Sequence, residues 1–180
     1  MSTTEPTTDN TAASAAADLD ELIDSCIATA DSRAEDWDTL AFQTKAGPQF
    51  RRAQIRYVGS GATGHHEGDS QILQAEHFTF SNMLLPPGAV GPEHVHDDVE
   101  EIFFVLEGEL EVSVHDLDDG NRKVSRTLGY RDLMKVPAGV SRSLKNTGDT
   151  EALFCVMVGA GKPQLPTYPP SSPMTGITRD

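Results

Sequence analysis

The sequence GAVGPEHVHDDVEEIFFVLEG occupies residues 88–108 and sets two histidines and an apolar strand pattern between glycine turns. His94 and His96 are two residues apart, so in an extended segment both imidazoles project from the same face. Glu101 opens the apolar strand that follows. Two imidazoles and a carboxylate that converge in a barrel are ligands for a divalent metal ion and leave coordination positions open. The stretch therefore predicts a metal site built on strands.

Short apolar runs continue on both sides of this stretch, and Gly, Pro, Asn and Asp separate them. Strands at this spacing, with no helix-length pattern between them, indicate an antiparallel sandwich or barrel. The runs are residues 50–58, 78–85, 101–106, 110–115, 124–128, 133–136, 141–144 and 152–158.

The spacing around the histidines resembles the first motif of the cupin superfamily. The matching residues are Gly88, His94, His96, Glu101 and Gly108, separated by five, one, four and six residues. Residues 129–146 are similar to the second cupin motif, through Gly129, Asp132, Pro137, Gly139 and Asn146. The resemblance implies an all-β, single-domain double-stranded β-helix, or jelly-roll barrel. Because cupins often dimerise, it also implies a homodimer.

The chain departs from the second motif at Arg142, where the family normally supplies a third histidine. A guanidinium stays charged in proteins and is not a metal ligand. Two readings follow from this difference. In the first, His94, His96 and Glu101 hold the metal and Arg142 orients an anionic substrate. In the second, Arg142 pairs with Glu101, the metal is weak or absent, and the barrel is a binding or structural module.

Another histidine could replace the lost ligand. His77 is the candidate, because it opens the strand that leads to Gly88. His65, His66 and His115 are less favoured, since a lone histidine in such a place is more often a surface or core residue.

The overall charge argues against several classes of partner. The chain carries 28 Asp and Glu against 14 Lys and Arg, a formal net charge of -14. This balance disfavours nucleic acid and anionic membrane surfaces. Between Tyr57 and Asn121 there is no Lys or Arg. We therefore expect a negative field at the barrel mouth, which favours a cation and makes an anionic substrate costly.

The chain divides into four expected regions. Residues 1–17 are a low-complexity tail that we expect to be disordered. Residues 18–46 have helical spacing and an acidic face, and they predict a helical extension. Residues 47–160 form the barrel. The Pro-rich tail, residues 161–180, is packed across the barrel, packed against a partner, or loose.

These observations together predict a metal-dependent enzyme that acts on a small organic molecule. Dioxygenase chemistry is preferred, because a 2-His-1-Glu site leaves positions for both oxygen and substrate. Fe(II) is the preferred ion, and Mn, Zn and Ni are alternatives. An isomerase or lyase, or a non-enzymatic binding cupin with a degenerate site, stays open. Two cysteines and no apolar run of about 20 residues lead us to expect a cytoplasmic protein.

Overall fold

The computed structural model describes residues 19–64 and 72–179. The expected disordered tail, residues 1–17, and the histidines His65 and His66 lie outside this range. Nine strands form within the described residues. They are β1 (Ala53–Val58), β2 (Thr79–Leu85), β3 (Val90–His94), β4 (Glu101–Glu107), β5 (Leu110–His115), β6 (Lys123–Leu128), β7 (Leu133–Val136), β8 (Ser141–Asn146) and β9 (Ala152–Val158).

The strands make two antiparallel sheets that face each other. One sheet has the order β1-β2-β9-β4-β7 and the other the order β3-β8-β5-β6. The apolar core between them includes Leu85, Phe103, Leu110, Val136 and Phe154, all almost fully buried. The strand spacing predicted an antiparallel sandwich or barrel, and the arrangement is the jelly-roll barrel that the cupin resemblance implied.

Strand β4 shows why the alternating pattern folds in this way. Its first, third and fifth residues, Glu101, Phe103 and Val105, are buried, and the residues between them are half-buried. Successive side chains of a strand point to opposite faces, so burying Phe103 and Val105 in the core also turns Glu101 inward. The core face therefore carries the carboxylate into the barrel.

Strand β3 was not among the predicted apolar runs. It contains Gly91 and Pro92, residues that are depleted in strands, so its sequence lacks a strand signature. It pairs with β8, and His94 lies opposite Arg142 in the register. A Cβ atom at Gly91 would lie 3.3 Å from the Cβ of Leu144, so the small residue allows β3 to lie closely over β8. This pairing places His94 and Arg142 together.

The N-terminal extension is less helical than residues 18–46 predicted. The only α-helix among the described residues, α1, covers Leu19–Ser25, and its apolar side chains are exposed. A helix this short is marginally stable unless its apolar face packs against the rest of the protein. Because the apolar face of α1 is exposed, the helix ends at Ser25. The 3-10 turns are Ala30–Ser32, Ala41–Ala46, Pro48–Phe50 and Gly61–Thr63. No described helix has the length and apolar character needed to cross a bilayer.

The Pro-rich tail packs across the barrel, the first of the three alternatives that the sequence left open. Thr167 and Val95 exchange two backbone hydrogen bonds of 2.9 Å. The Ser172 hydroxyl donates to the Glu93 carbonyl oxygen at 2.7 Å, and Met174 is fully buried. The tail thus becomes part of the barrel wall near the site.

Candidate metal centre

The structure brings His94, His96 and Glu101 together inside the barrel. His94 ends β3, His96 follows two residues later, and Glu101 begins β4. The His94 Nε2 atom lies 3.8 Å from Glu101 Oε2, and His96 Nε2 lies 3.7 Å from Glu101 Oε1. One ligand atom from each residue lies within 4.8 Å of the others. The three side chains can therefore reach one common ion.

The ring of His94 is held in the orientation that suits a ligand. Its Nδ1 atom lies 2.8 Å from the Pro92 carbonyl oxygen. A carbonyl can only accept, so Nδ1 carries the proton and Nε2 of the neutral ring carries a lone pair. Burial and the nearby Arg142 charge lower the pKa of His94 to about 3, so the ring is neutral at pH 7. The Nε2 lone pair therefore faces a carboxylate with no proton between them.

Arg142 keeps Glu101 ionised. Its Nε and Nη2 atoms donate to Glu101 Oε2 at 3.0 and 2.7 Å, and its Nη1 donates to the Val140 carbonyl oxygen at 3.1 Å. Burial raises the pKa of Glu101, but His96 and Arg142 outweigh that effect and lower it to about 2. Oxygen Oε2 is thus engaged by Arg142, whereas Oε1 faces His96.

These residues fit a divalent ion. Metal–nitrogen and metal–oxygen bonds are about 2.0–2.2 Å long, so an ion between two ligand atoms 3.8 Å apart reaches both. Two imidazoles and one carboxylate suit Fe(II), Mn, Zn or Ni and leave positions for other ligands. Buried His96 Nδ1 has no hydrogen-bond partner among the described residues, so its own tautomer is not fixed in the way that His94 is.

A cavity of about 90 Å³ adjoins the three residues. Phe103, Phe154 and Leu144 give it an apolar wall. Its polar lining includes His94, His96, Glu101, Arg52, Gln54, Tyr168 and Arg179. The cavity therefore joins the candidate ligands to polar groups from the N-terminal and C-terminal parts of the described chain.

Arg142 is not among the residues that line this cavity. Only 1% of its side chain is exposed, and its guanidinium lies against Glu101. That Arg142 orients the substrate stays a prediction, and in this structure its guanidinium donates to the Glu101 carboxylate and to the Val140 carbonyl oxygen. The pairing of Arg142 with Glu101, which the second reading expected, is what the structure contains.

The expected negative field does not describe the cavity lining. Arg52 precedes β1 and Arg179 lies in the C-terminal tail, and both line the cavity. Glu101 is the one acidic residue among the lining residues, and Arg142 offsets its charge. The count from Tyr57 to Asn121 missed these cations because the fold brings them in from outside that stretch.

His77, the candidate replacement ligand, lies outside the group. Its side chain is 89% exposed, and its Nε2 is 3.9 Å from Glu76 on the surface. It comes two residues before β2 begins at Thr79, so the strand pairing does not carry it inward. His115 is on the opposite face of the second sheet, where its Nε2 and the Ser143 hydroxyl are 2.8 Å apart. Neither residue can complete the metal group in this arrangement.

Comparison with known proteins supports the same fold. A family model described as a cupin domain matches residues 81–159. The oxalate oxidase GF-2.8 of Triticum aestivum is 27% identical over 165 residues, which cover 86% of this chain and 74% of the relative. Germin-like protein 3-6 of Oryza sativa subsp. japonica is 28% identical over 165 residues, which cover 86% of this chain and 72% of the relative.

A solved structure of recombinant oxalate oxidase in complex with glycolate is 25% identical and has a TM-score of 0.51. The match covers 67% of this chain and 56% of that one, so the chain spans little more than half of the solved oxalate oxidase. Three observations support the cupin fold. They are the two facing sheets, the inward group of two histidines and a glutamate, and the match to the family model. Residues 81–159 match the cupin family model, and the two facing sheets have the cupin fold.

Proposed function

We propose that this protein is a metal-dependent cupin enzyme that acts on a small organic molecule and holds one divalent ion with His94, His96 and Glu101. One observation carries the proposal: a neutral imidazole presents its Nε2 lone pair to an ionised carboxylate 3.8 Å away in a buried site. Two acceptors facing each other are unfavourable unless a cation lies between them. The likeness to oxalate oxidases and germin-like proteins supports the same class of function.

An oxygen-dependent reaction, of the oxidase or dioxygenase type, is the preferred chemistry. When bound, the ion supplies a Lewis acid for the substrate and a centre for oxygen. Fe(II) is preferred, with Mn, Zn and Ni as alternatives. An isomerase or lyase is the alternative if the ion does not exchange electrons, since cupin-like barrels host several chemistries.

The protein's own side chains prepare the site for such an ion. The Pro92 carbonyl fixes the tautomer of His94, and Arg142 keeps Glu101 anionic while leaving Oε1 free of its hydrogen bonds. Phe103 and Phe154 make an edge-to-face pair in the apolar part of the cavity wall. Arg142 is thus a positioning residue for the carboxylate.

A second function is favoured by the Arg142–Glu101 pair itself. The guanidinium already neutralises Glu101, and it stands where cupins of the matching motif carry a third histidine. A barrel with this pair and no metal would be a binding module for small molecules. Assembly as a homodimer and a cytoplasmic location stay predictions from the sequence.

Metal content is the test that separates the two functions. Protein purified aerobically and anaerobically without added metal is analysed for its elements, and then dialysed against Fe(II), Mn, Zn or Ni. We expect about one equivalent of metal per chain. The variant His96→Asn should lose most or all of it, because one of the three ligands is gone. The matched variant His115→Asn should keep it, because His115 lies on the other face of the sheet.

The identity of the metal sharpens the outcome. Iron or manganese, which can exchange electrons, would support oxygen chemistry, whereas zinc, which cannot, would favour the isomerase or lyase alternative. Wild-type protein that holds no metal and takes none up would overturn the enzyme proposal and leave the binding module. Equal loss of metal in His96→Asn and His115→Asn would contradict the assigned ligands.

A further inference from the structure

Arg52 is a buried cation that the metal group does not explain. The residue is only 9% exposed and lines the cavity. Its Nη1 atom donates to Gln43 Oε1 and, at 3.5 Å, to the Val90 carbonyl oxygen. Among the described residues no carboxylate forms an ion pair with it, and the hydrogen bonds it makes all use Nη1. Burial lowers the pKa of Arg52 to about 10, so it stays charged at pH 7.

The Tyr168 hydroxyl is a second group in the same cavity that lacks a partner. It is buried and makes no hydrogen bond within the described residues. Tyr168 is also close enough to influence the pKa of Arg52. A buried hydroxyl without a partner is costly. A buried guanidinium is more so when the nearby Glu101 charge is already bonded to Arg142 and makes no ion pair with Arg52. Both costs would be removed by an anion that accepts from the two groups.

The charges around the cavity also favour an anion. Arg179 lines it as well, held by a 2.8 Å hydrogen bond from Nη1 to the Thr63 carbonyl and stacked on the Phe42 ring at 4.8 Å. The lining thus carries two guanidinium groups against one carboxylate, Glu101, which Arg142 already neutralises. In a protein of net charge -14, this cavity is a local region of positive charge.

We propose that Arg52 and Tyr168 form a carboxylate-binding subsite in this cavity. The free Nε and Nη2 donors of Arg52 bind the two oxygens of one carboxylate side by side, and the Tyr168 hydroxyl donates to one of them. The remainder of the molecule extends towards His94, His96 and Glu101. The statement that this molecule is the substrate rests on the proposed function, whereas the binding of a carboxylate does not.

The size of the cavity limits the acid. A water molecule needs about 10–15 Å³ of such volume, so about 90 Å³ has room for roughly six to nine water-sized groups. The ligand is therefore a small organic acid of about that many non-hydrogen atoms. A larger acid would have to displace the Pro166 or Leu40 side of the lining.

Malonate is a suitable probe for the test, with its neutral diamide as the uncharged analogue and inorganic phosphate as the competing anion. Binding is measured by calorimetry with metal-loaded protein and again with chelator-treated protein. We expect malonate to bind, the diamide not to bind detectably, and Arg52→Gln to weaken malonate by about tenfold to a hundredfold. The matched control is Arg51→Gln, because the neighbouring Arg51 is exposed and lies over the Trp37 ring at 5.3 Å. It should bind malonate as the wild type does.

Tyr168→Phe keeps the test decisive if Arg52→Gln fails to fold. It removes only a buried hydroxyl without a partner, so the fold should tolerate it, and malonate should bind several-fold more weakly. Equal malonate binding by wild type, Arg52→Gln and Tyr168→Phe would overturn the subsite. Phosphate that binds more tightly than malonate, with the same dependence on Arg52, would overturn the carboxylate assignment.

The two forms of the protein separate this proposal from the function. Malonate binding that depends on Arg52 in chelator-treated protein supports the subsite, even if no metal is ever taken up. Metal uptake of one equivalent without any binding of malonate would leave the metal site and overturn the subsite. The control Arg51→Gln should take up metal as the wild type does, since Arg51 is exposed and does not line the cavity.

Discussion

On each face of the sheet β3-β8-β5-β6 a histidine lies close to a glutamate. On the inner face His94 lies 3.8 Å from Glu101 of the other sheet. On the outer face His115 Nδ1 lies 3.7 Å from Oε2 of Glu93. Both glutamates are about 5% exposed. Adjacent residues of one strand, Glu93 and His94, supply one member of each group, because successive side chains alternate between faces.

The two groups differ in how their polar atoms are satisfied. Outer Glu93 accepts hydrogen bonds from the Ser141 and Ser171 hydroxyls at 2.8 and 2.9 Å. The second ring nitrogen of His115 and the Ser143 hydroxyl are 2.8 Å apart. The His115–Glu93 separation of 3.7 Å is too long for a hydrogen bond, so the glutamate does not orient this histidine as the base of a nucleophilic serine.

In the described part of the inner group, His94 Nδ1 has a neutral partner, the Pro92 carbonyl oxygen, but the other polar atoms of the two histidines and of Glu101 do not. Glu101 is held by a buried guanidinium, the His94 lone pair faces a carboxylate, and His96 Nδ1 has no partner within the described chain. Buried polar groups in proteins almost always have a hydrogen-bond partner, so a buried group without one needs an explanation. A histidine and a glutamate in contact are therefore not by themselves a functional site. The unsatisfied atoms distinguish the metal centre from the structural group.

Matched substitutions of the two glutamates should give the largest difference in stability. We expect Glu101→Gln to lower the free energy of unfolding of metal-free protein by about 3 kcal/mol, because it leaves the Arg142 charge buried without an anion. Glu93→Gln should cost about 1 kcal/mol or less, since its amide oxygen can still accept from the two serine hydroxyls. Urea unfolding of both variants measures the difference. Equal losses would show that the two groups are equivalent.

Because of His94, the free energy of unfolding of metal-free protein should also decrease as the pH is lowered. Its pKa is lowered from 6.5 to about 3, so between these values the unfolded chain binds a proton that the folded chain does not. Stability is therefore full above pH 6.5 and is lost as the pH falls towards 3, by about 1 kcal/mol per pH unit. Glu101, with its pKa lowered from 4.5 to about 2, adds a loss of the same sign below pH 4.5.

Two variants separate the inner histidine from the outer one in this pH series. His94→Asn should make the free energy of unfolding depend less on pH between pH 6.5 and 4.5. His115→Asn should flatten it less, because burial lowers the pKa of His115 but the Glu93 charge partly offsets that effect. The exposed His77 supplies a control for the substitution itself, because His77→Asn removes an imidazole on the surface outside the barrel. A slope that survives in His94→Asn would mean that the ring is not buried in its neutral form.

The local parts of this arrangement were predictable from the sequence. The run at residues 101–106 predicts β4 within one residue, because alternating apolar residues that bury one face specify a strand. The same alternation turns Glu101 inward, and the His-x-His spacing does the same for His94 and His96. Strand β3 was not predicted, because it has Gly91 and Pro92 where strands usually have β-branched residues. Its place depends on pairing with β8, a contact distant in the sequence.

The cationic part of the site was not predictable in the same way. Arg52 and Tyr168 lie more than 100 residues apart and meet only because the C-terminal tail crosses the barrel. No short motif records that meeting. The contacts of Arg142 were not predictable for a related reason. The position of Arg142 in the motif predicted that its side chain points into the barrel. Which group its guanidinium contacts there depends on β4 of the other sheet, which supplies Glu101.

The smallest expected effect concerns the outer group and the tail that covers it. Ser171→Ala removes the 2.9 Å hydrogen bond from the tail to Glu93 Oε1, and Ser141 still donates to the same oxygen. We expect a loss of about 1 kcal/mol in the free energy of unfolding. Amide hydrogen exchange should also become faster in the tail, because the tail would open locally before the barrel does.

Thr175→Ala is the matched control, because the Thr175 hydroxyl donates to the Pro169 carbonyl within the tail and not to the barrel. It should leave exchange at the Thr167 amide, which donates to the Val95 carbonyl, unchanged. Faster exchange there in Ser171→Ala alone would identify Glu93 as the anchor of the tail. If neither variant changes the exchange, the tail is held by its buried Met174 and its backbone bonds, and the outer glutamate contributes little even to structure. The contrast with Glu101 would then be sharper, because only the inner carboxylate would have a measurable role.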